Sequence, residues 1–280
     1  MKKSRYAWDE AKYKRFLKKE GRGQGTGQDY RPWLAIYDVS STGRVHRIKG
    51  WKTNRTHHLL SDQERNFFYL LEWSDSVIDV REQFPLDLDE TQLIAKDMGI
   101  KHPADQSSGF PWVFTTDFLI TVRNQNQISQ IARTVKPSDF LEKDRIIEKF
   151  ELERRYWVSR GIDWGIVTEK DLPQVLVTNI GFIHGDYWLE ATSETSAVEM
   201  LALVDSFKLR LLNYTGTVHH FTDAFDIDFN LKAGTALRLL KYLIAKKQVT
   251  VDMNEKIKFT KSVQSLICQD VRSQYKARIA

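Results

Sequence analysis

The sequence predicts an α/β protein: a mixed sheet flanked by helices, followed by a mostly helical, winged-helix-like C-terminal domain. Three observations predict it. Apolar runs of strand length at Phe110–Val122 and Ile128–Lys136 lie between helix-patterned stretches at Leu59–Trp73 and Leu141–Arg160. A short apolar run, Ile162–Val167, returns to strand texture after the second of these helices. Beyond residue 170 the pattern turns helical, and it closes on strand-like alternation at Val249–Met253 and Lys256–Phe259 around a turn at Asn254-Glu255. The chain has 280 residues, 41% of them hydrophobic, which is enough for one large domain or two ordinary ones.

Taken in order, residues 8–20 carry a short amphipathic helical pattern. The stretch Gly21-Arg22-Gly23-Gln24-Gly25-Thr26-Gly27 follows. It lacks the Gly-Lys-Ser/Thr of a Walker A loop and fails the dinucleotide spacing, so it reads as a flexible loop. From Arg44 to His58 there is no acidic residue. Arg44, His46, Arg47, Lys49, Lys52 and Arg55 interleave with Trp51 and His57, and the alternation of Val45, Arg47 and Lys49 against His46 and Ile48 suits a hairpin. Cations with a stackable ring suit a phosphate backbone, so Arg44, Arg47, Lys49, Lys52 and Arg55 are candidate DNA contacts. A solvated basic hairpin is the plainer alternative.

Ser61-Asp62-Gln63-Glu64 has the form of a capping box that opens the first long helix. Residues Leu86–Pro103 read as a loop with one helical turn. Polar residues Arg123–Gln127 turn the two apolar runs into a hairpin, and Pro137 ends the second run because it cannot donate to the ladder. Gly161 closes the long helix in the C′ position. Thr168, with Asp171 three residues on, reads as the N-cap of the next helix. Ser196–Leu212 and Ala233–Lys247 are helical, the latter with Leu237, Leu240, Lys241 and Ile244 spaced by threes and fours.

Charge is distributed unevenly. Residues 1–60 carry 15 Lys+Arg against 5 Asp+Glu, residues 61–220 carry 16 against 26, and residues 221–280 carry 11 against 6. A basic front and tail around an acidic middle suggest a polyanionic partner around a centre rich in carboxylates. The lone cysteine, Cys268, excludes an intramolecular disulfide and a cysteine-based zinc site. The basic start lacks an apolar signal region, and no apolar run approaches the roughly 18 residues of a membrane span. A cytoplasmic protein with no membrane partner is expected.

Three residues stand out as candidates for chemistry. Glu64 shares a helix stripe with Leu60, Phe67, Phe68 and Leu71, where a carboxylate is costly unless something neutralises it. Asp117 interrupts the apolar strand Trp112–Ile120. Lys136 ends the neighbouring strand, with Thr134 on the same face. Each has an ordinary reading as a capping residue, an edge aspartate or a solvated lysine. Together they supply what phosphodiester hydrolysis needs: carboxylates for Mg²⁺ and a lysine for the attacking oxygen or the developing charge.

This constellation resembles the PD-(D/E)XK restriction-endonuclease-like superfamily. Within it, the sequence resembles TnsA-type endonucleases, the 5′-end-cleaving subunits of heteromeric Tns transposases. The stretches that carry the resemblance are Gly21–Gly25, His57–Asp62, Arg81–Leu86, Gly99–Pro103, Thr116–Leu119, Val135–Pro137 and Glu151–Trp157. The resemblance implies a restriction-endonuclease-like fold over residues 1–168, with 169–280 as a winged-helix-like domain that binds partners, DNA contact being open to it as well. It implies that Glu64, Asp117 and Lys136 are catalytic, with Mg²⁺, or Mn²⁺ in its place, held by Glu64 and Asp117. The superfamily places an acid or amide two residues before the lysine, whereas this chain has Thr134. Its shorter neutral hydroxyl and the backbone carbonyl of Val135 are the remaining expected ligands. Glu153 reaches the site from behind or pairs with Lys149 at i−4. Implied partners are double-stranded DNA at transposon ends, a TnsB-like DDE transposase and a TnsC-like AAA+ ATPase. The competing readings are a stand-alone restriction or repair nuclease and a structural subunit whose site has decayed. Lys241, Lys246, Lys247, Lys256 and Lys258 permit either DNA or protein contact by the C-terminal domain.

Overall fold

The computed structural model of the chain describes residues 8–39, 43–125, 127–189 and 196–267, so Cys268 lies outside the described residues. The chain divides into two compact units, Met1–Leu172 and Pro173–Ala280.

In the first unit, α1 (Glu10–Lys14) runs on into a π-helical turn, Arg15–Lys19. Its aromatic face, Trp8 and Phe16, packs with Trp33 and with Tyr13, Phe110 and Trp112 around it. Strands β1 (His46–Lys49) and β2 (Thr56–Leu59) form the expected basic hairpin, with His46 opposite Leu59 and Lys49 opposite Thr56. Helix α2 (Asp62–Trp73) starts at the Ser61 N-cap, whose hydroxyl accepts the Glu64 N–H at 3.0 Å. Leu59, expected in this helix, instead ends β2.

The main sheet has the order β3-β4-β5-β6. Strand β3 (Val77–Pro85) is antiparallel to β4 (Thr115–Asn124), which is antiparallel to β5 (Gln127–Val135). Strand β6 (Asp163–Val167) is parallel to β5, and α4 (Asp144–Val158) makes the crossover that a parallel pair requires. Gly161, with φ +66°, is the C′ residue of a Schellman closure of α4. The Ile162 N–H donates to Trp157 O and the Gly161 N–H to Val158 O. Leu119, Ala132, Tyr156, Trp157 and Leu86 form one core layer. Phe67 of α2 meets Phe118 edge-on. Burying such side chains contributes roughly 1.5–3 kcal/mol each.

The structure differs from the sequence expectation at residues 86–103, at β3, at the turn after Thr168, and in starting β4 at Thr115 rather than Phe110. Residues 86–103 were expected to be a loop with one helical turn, but they hold α3 (Leu88–Asp97), capped by Asp87, which buries only Leu88, Thr91 and Ala95. Strand β3 was not expected at all, because it carries Asp79, Arg81, Glu82 and Gln83, all of them buried. Thr168 and Asp171 do form a capping box, on a 3-10 turn (Glu169–Asp171) rather than a longer helix.

The second unit is helical: α5 (Gln174–His184), α6 (Ala197–Leu212), α7 (Val218–Asp228), α8 (Thr235–Ala245) and α9 (Val263–Leu266). Phe207, Phe221 and Phe225 meet edge-on in its core. Asp226 anchors the start of α8 by accepting the N–H groups of Gly234 and Ala236 at 2.7 and 2.8 Å. The strand–turn–strand segment is present as a turn at Asp252–Glu255 and an isolated bridge pairing Val251 with Ile267. Asn179 accounts for this. Its amide donates to Met253 O and Glu255 O and accepts the Ile257 N–H, taking up backbone groups that a hairpin would pair. Among the described residues no helix is long and apolar enough to cross a membrane.

Candidate active site

Glu64 enters the site from the first turn of α2, where one carboxylate oxygen accepts the Leu60 N–H at 2.9 Å and the other faces the Ser61 hydroxyl at 3.3 Å. Asp117 enters from β4. Its Oδ2 accepts the Val135 N–H at 2.7 Å and the Lys136 ammonium at 2.8 Å. Antiparallel pairing of β4 with β5 brings Asp117 to the end of β5, where Lys136 stands. The two carboxylates are buried and are joined through Gln83 of β3, whose Nε2 lies 3.4 Å from Glu64 Oε2 and 3.4 Å from Asp117 Oδ1. Glu64, Asp117 and Lys136, singled out in the sequence, are therefore brought together.

Electrostatics follow from this crowding. Burial first, then the neighbouring Asp117 carboxylate, push Glu64 above the usual carboxylate range, and Lys136 with the Leu60 amide offsets this only in part. For Lys136, burial alone would lower the ammonium, but Asp117 and Glu64 outweigh it and hold it above its ordinary value.

Thr134 and Glu153 form a layer behind these groups. The Thr134 hydroxyl donates to Glu153 Oε1 at 2.5 Å, so its one proton points into the fold. The same oxygen accepts from Thr116 at 2.6 Å and Trp164 at 3.0 Å, and Trp157 donates to Thr116 at 2.7 Å. These bonds put Glu153 behind the site, one of the two readings the sequence left open, rather than in a pair with Lys149. Burial, opposed by the Thr116 and Thr134 hydroxyls, raises Glu153 to about 7.

The family model for the TnsA-like endonuclease N terminal matches residues 74–169, the stretch that holds Asp117, Thr134, Lys136 and Glu153. The model for the TnsA endonuclease C terminal matches residues 171–253. The transposon Tn7 transposition protein TnsA of Escherichia coli is 40% identical over 258 residues, covering 91% of each chain.

The chain belongs to the TnsA endonuclease family.

The mixed four-stranded sheet flanked by helices, with a helical region after it, agrees with the TnsA endonuclease fold. The basic hairpin lies outside the stretch matched to the TnsA N-terminal model. Within it, Arg44, Arg47 and Lys49 are exposed, while Lys52 is half-buried and donates to Ser74 O at 2.7 Å. Arg55 departs from the expectation of a surface phosphate contact. Its guanidinium is buried, holds both oxygens of Glu82, and donates to Gly27 O and Val80 O. The His57 Nδ1–H donates to Glu82 Oε2 at 2.8 Å, and the His58 N–H donates to Glu82 Oε1 at 3.1 Å. The charge of Arg55 thus fastens the hairpin to β3. Sequence reasoning missed Gln83 as a member of the site. The available signal was its place in Arg81–Leu86, which the TnsA resemblance had marked without a role.

Among the described residues no group of three or more His, Cys, Asp or Glu converges as a metal cluster.

Proposed function

We propose that the chain is the metal-dependent DNA endonuclease subunit of a transposase, hydrolysing the phosphodiester at the 5′ ends of the transposon during cut-and-paste transposition. The observation that carries this reading is the meeting of the buried carboxylates Glu64 and Asp117 with the half-buried Lys136 in a TnsA-family chain.

The residues present fit a divalent cation. Two buried carboxylates face one lysine, which leaves an excess of negative charge where burial makes it costly. Mg²⁺ keeps several waters and is satisfied by one or two carboxylates, and Mn²⁺ would serve in its place. Glu64 and Asp117 would hold it, with the Val135 carbonyl and the Thr134 oxygen as neutral neighbours. When bound, such a cation polarises the scissile phosphate and lowers the pKa of a water it holds. The rest falls to the protein. Lys136 stays cationic beside Asp117, so it serves to orient the attacking oxygen and to meet charge developing on the phosphoryl oxygens. Asp117 grips both the Lys136 ammonium and the Val135 N–H, which fixes the end of β5 relative to Glu64. Glu153 steadies Thr116 and Thr134 from behind.

In this reading residues 1–168 are the catalytic domain, and 169–280 the domain that meets partners. A TnsB-like DDE transposase cuts and joins the 3′ ends, and a TnsC-like AAA+ ATPase regulates the assembly. The protein works in the cytoplasm on double-stranded DNA at transposon ends. Exposed Arg44, Arg47 and Lys49, with Lys52 beside them, supply backbone contacts.

The test is cleavage of transposon-end DNA with Mg²⁺ or Mn²⁺, with and without the partner transposase. The expected result is nicking at the 5′ ends that needs both partner and metal. Sequence-directed cutting by the lone protein would mark a stand-alone nuclease. Undiminished transposition by Asp117→Ala would mark a structural subunit.

A further inference from the structure

Gln83 sits where the site's charge is least satisfied. It is 2% exposed, and Glu82 pairs with Phe118 while Phe84 pairs with Thr116, so Gln83 falls opposite Asp117. Its amide nitrogen is 3.4 Å from both Glu64 and Asp117, longer than an ordinary N–H···O bond, so it bridges the carboxylates without satisfying either well. Its backbone φ is +49°, in the left-handed region that side chains other than glycine rarely adopt, and this within a strand. Such a conformation is strained and persists where surroundings enforce it. Two contacts do so here. The Trp33 N–H donates to Gln83 O at 3.1 Å, and the Thr115 hydroxyl donates to its Oε1 at 3.2 Å.

Thr134 completes the case. It is the residue from which a side-chain oxygen ligand was expected, yet its hydroxyl is engaged by Glu153. The site therefore has two carboxylates but a weak neutral side-chain donor at that position. A carboxamide carries an NH₂ and an oxygen on one rotor, so a half-turn of Gln83 exchanges the group facing Glu64 and Asp117 for its oxygen. The Thr115 hydroxyl can follow that turn, since it accepts as well as donates.

We propose that Gln83 is a metal ligand of this site, its amide oxygen supplying the neutral donor that Thr134 supplies poorly. This rests on the metal-dependent reading of the same pocket. Its place opposite Asp117 and the Trp33 and Thr115 contacts hold the amide between the two carboxylates.

The experiment is calorimetric titration of Mn²⁺ into the full chain, without DNA, for the wild type, Gln83→Leu, Gln83→Glu and Asp117→Ala, with circular dichroism to confirm folding. The expected result is Mn²⁺ binding about tenfold weaker in Gln83→Leu, tighter in Gln83→Glu, and lost in Asp117→Ala. If the wild type binds and Asp117→Ala does not, while both Gln83 variants match the wild type, the Gln83 assignment is overturned and the metal site stands. If the wild type binds no Mn²⁺, the metal reading falls and the Gln83 assignment with it. Should Gln83→Leu fail to fold, Gln83→Glu decides alone, because an added carboxylate must tighten binding if the side chain reaches the metal.

Discussion

Glu82 and Gln83 are neighbours on β3, and each lies at the centre of a buried polar cluster. Around Glu82 the charges balance. Arg55 takes both oxygens, His57 and the His58 N–H add to them, and although burial alone would raise Glu82, His57 and Arg55 hold it well below the usual carboxylate range. Around Gln83 they do not balance. Glu64 accepts from the Leu60 N–H and the Ser61 hydroxyl and Asp117 from the Val135 N–H, but the two charges share one cation, Lys136, and one poorly placed amide, and Glu64 is pushed up. The first cluster holds the basic hairpin to the sheet. The second carries unmet negative charge of the kind that binding a cation relieves. Burial is common to both, so what separates a structural cluster from a working one is whether its donors suffice.

Removing one carboxylate from each cluster should therefore break different properties. Asp117→Asn should abolish cleavage, by about a thousandfold or more, since metal and transition-state charge stabilisation are worth several kcal/mol. Its urea midpoint should hold steady or rise, because a like-charge neighbour of Glu64 is gone. Glu82→Ala should do the opposite at first order. It leaves Arg55 and His57 buried without their carboxylate, and stability should fall by about 3–5 kcal/mol in urea unfolding.

A pH series sharpens the contrast. Glu153 is raised to about 7 from an ordinary 4.5, so between those values the folded state holds a proton that the unfolded chain has lost. Its contribution to stability is present below about 4.5, falls as pH rises, and levels off above about 7. Glu153→Gln should remove this decline. Relative to wild type it should gain up to about 3 kcal/mol in metal-free unfolding between pH 4.5 and pH 8.

The smallest effect belongs to the exposed hairpin. Arg47→Ala or Lys49→Ala should weaken DNA binding a few-fold without regard to sequence, and should reduce the salt dependence by about one unit of slope each, read from binding at several salt concentrations.

The legible parts of the sequence were those governed by local rules. Ser61 marked the start of α2, Pro137 the end of β5, and Gly161 the close of α4, each through its own backbone chemistry. Asp117 was legible because a carboxylate is out of place in Phe114–Ile120. Strand β3 was not legible, since its Glu82 is made tolerable by Arg55 and His57 more than twenty residues away. The same distance hid the role of Arg55, which composition assigned to the basic surface. Helix α3 was missed because it buries a stripe too narrow to stand out. Gln83 was missed because nothing in a sequence announces a positive φ at a glutamine. In the C-terminal unit, alternation around Asn254-Glu255 suggested a hairpin, but Asn179 takes the backbone groups such a hairpin would use.

The most direct test of the central claim maps nicks on end-labelled transposon DNA with wild type and Asp117→Asn, in the presence of the partner transposase, with Mg²⁺ or with chelator. The account predicts nicks at the 5′ ends for wild type with Mg²⁺ and none for the variant or in chelator. Equal nicking by Asp117→Asn, or nicking that survives the chelator, would contradict it.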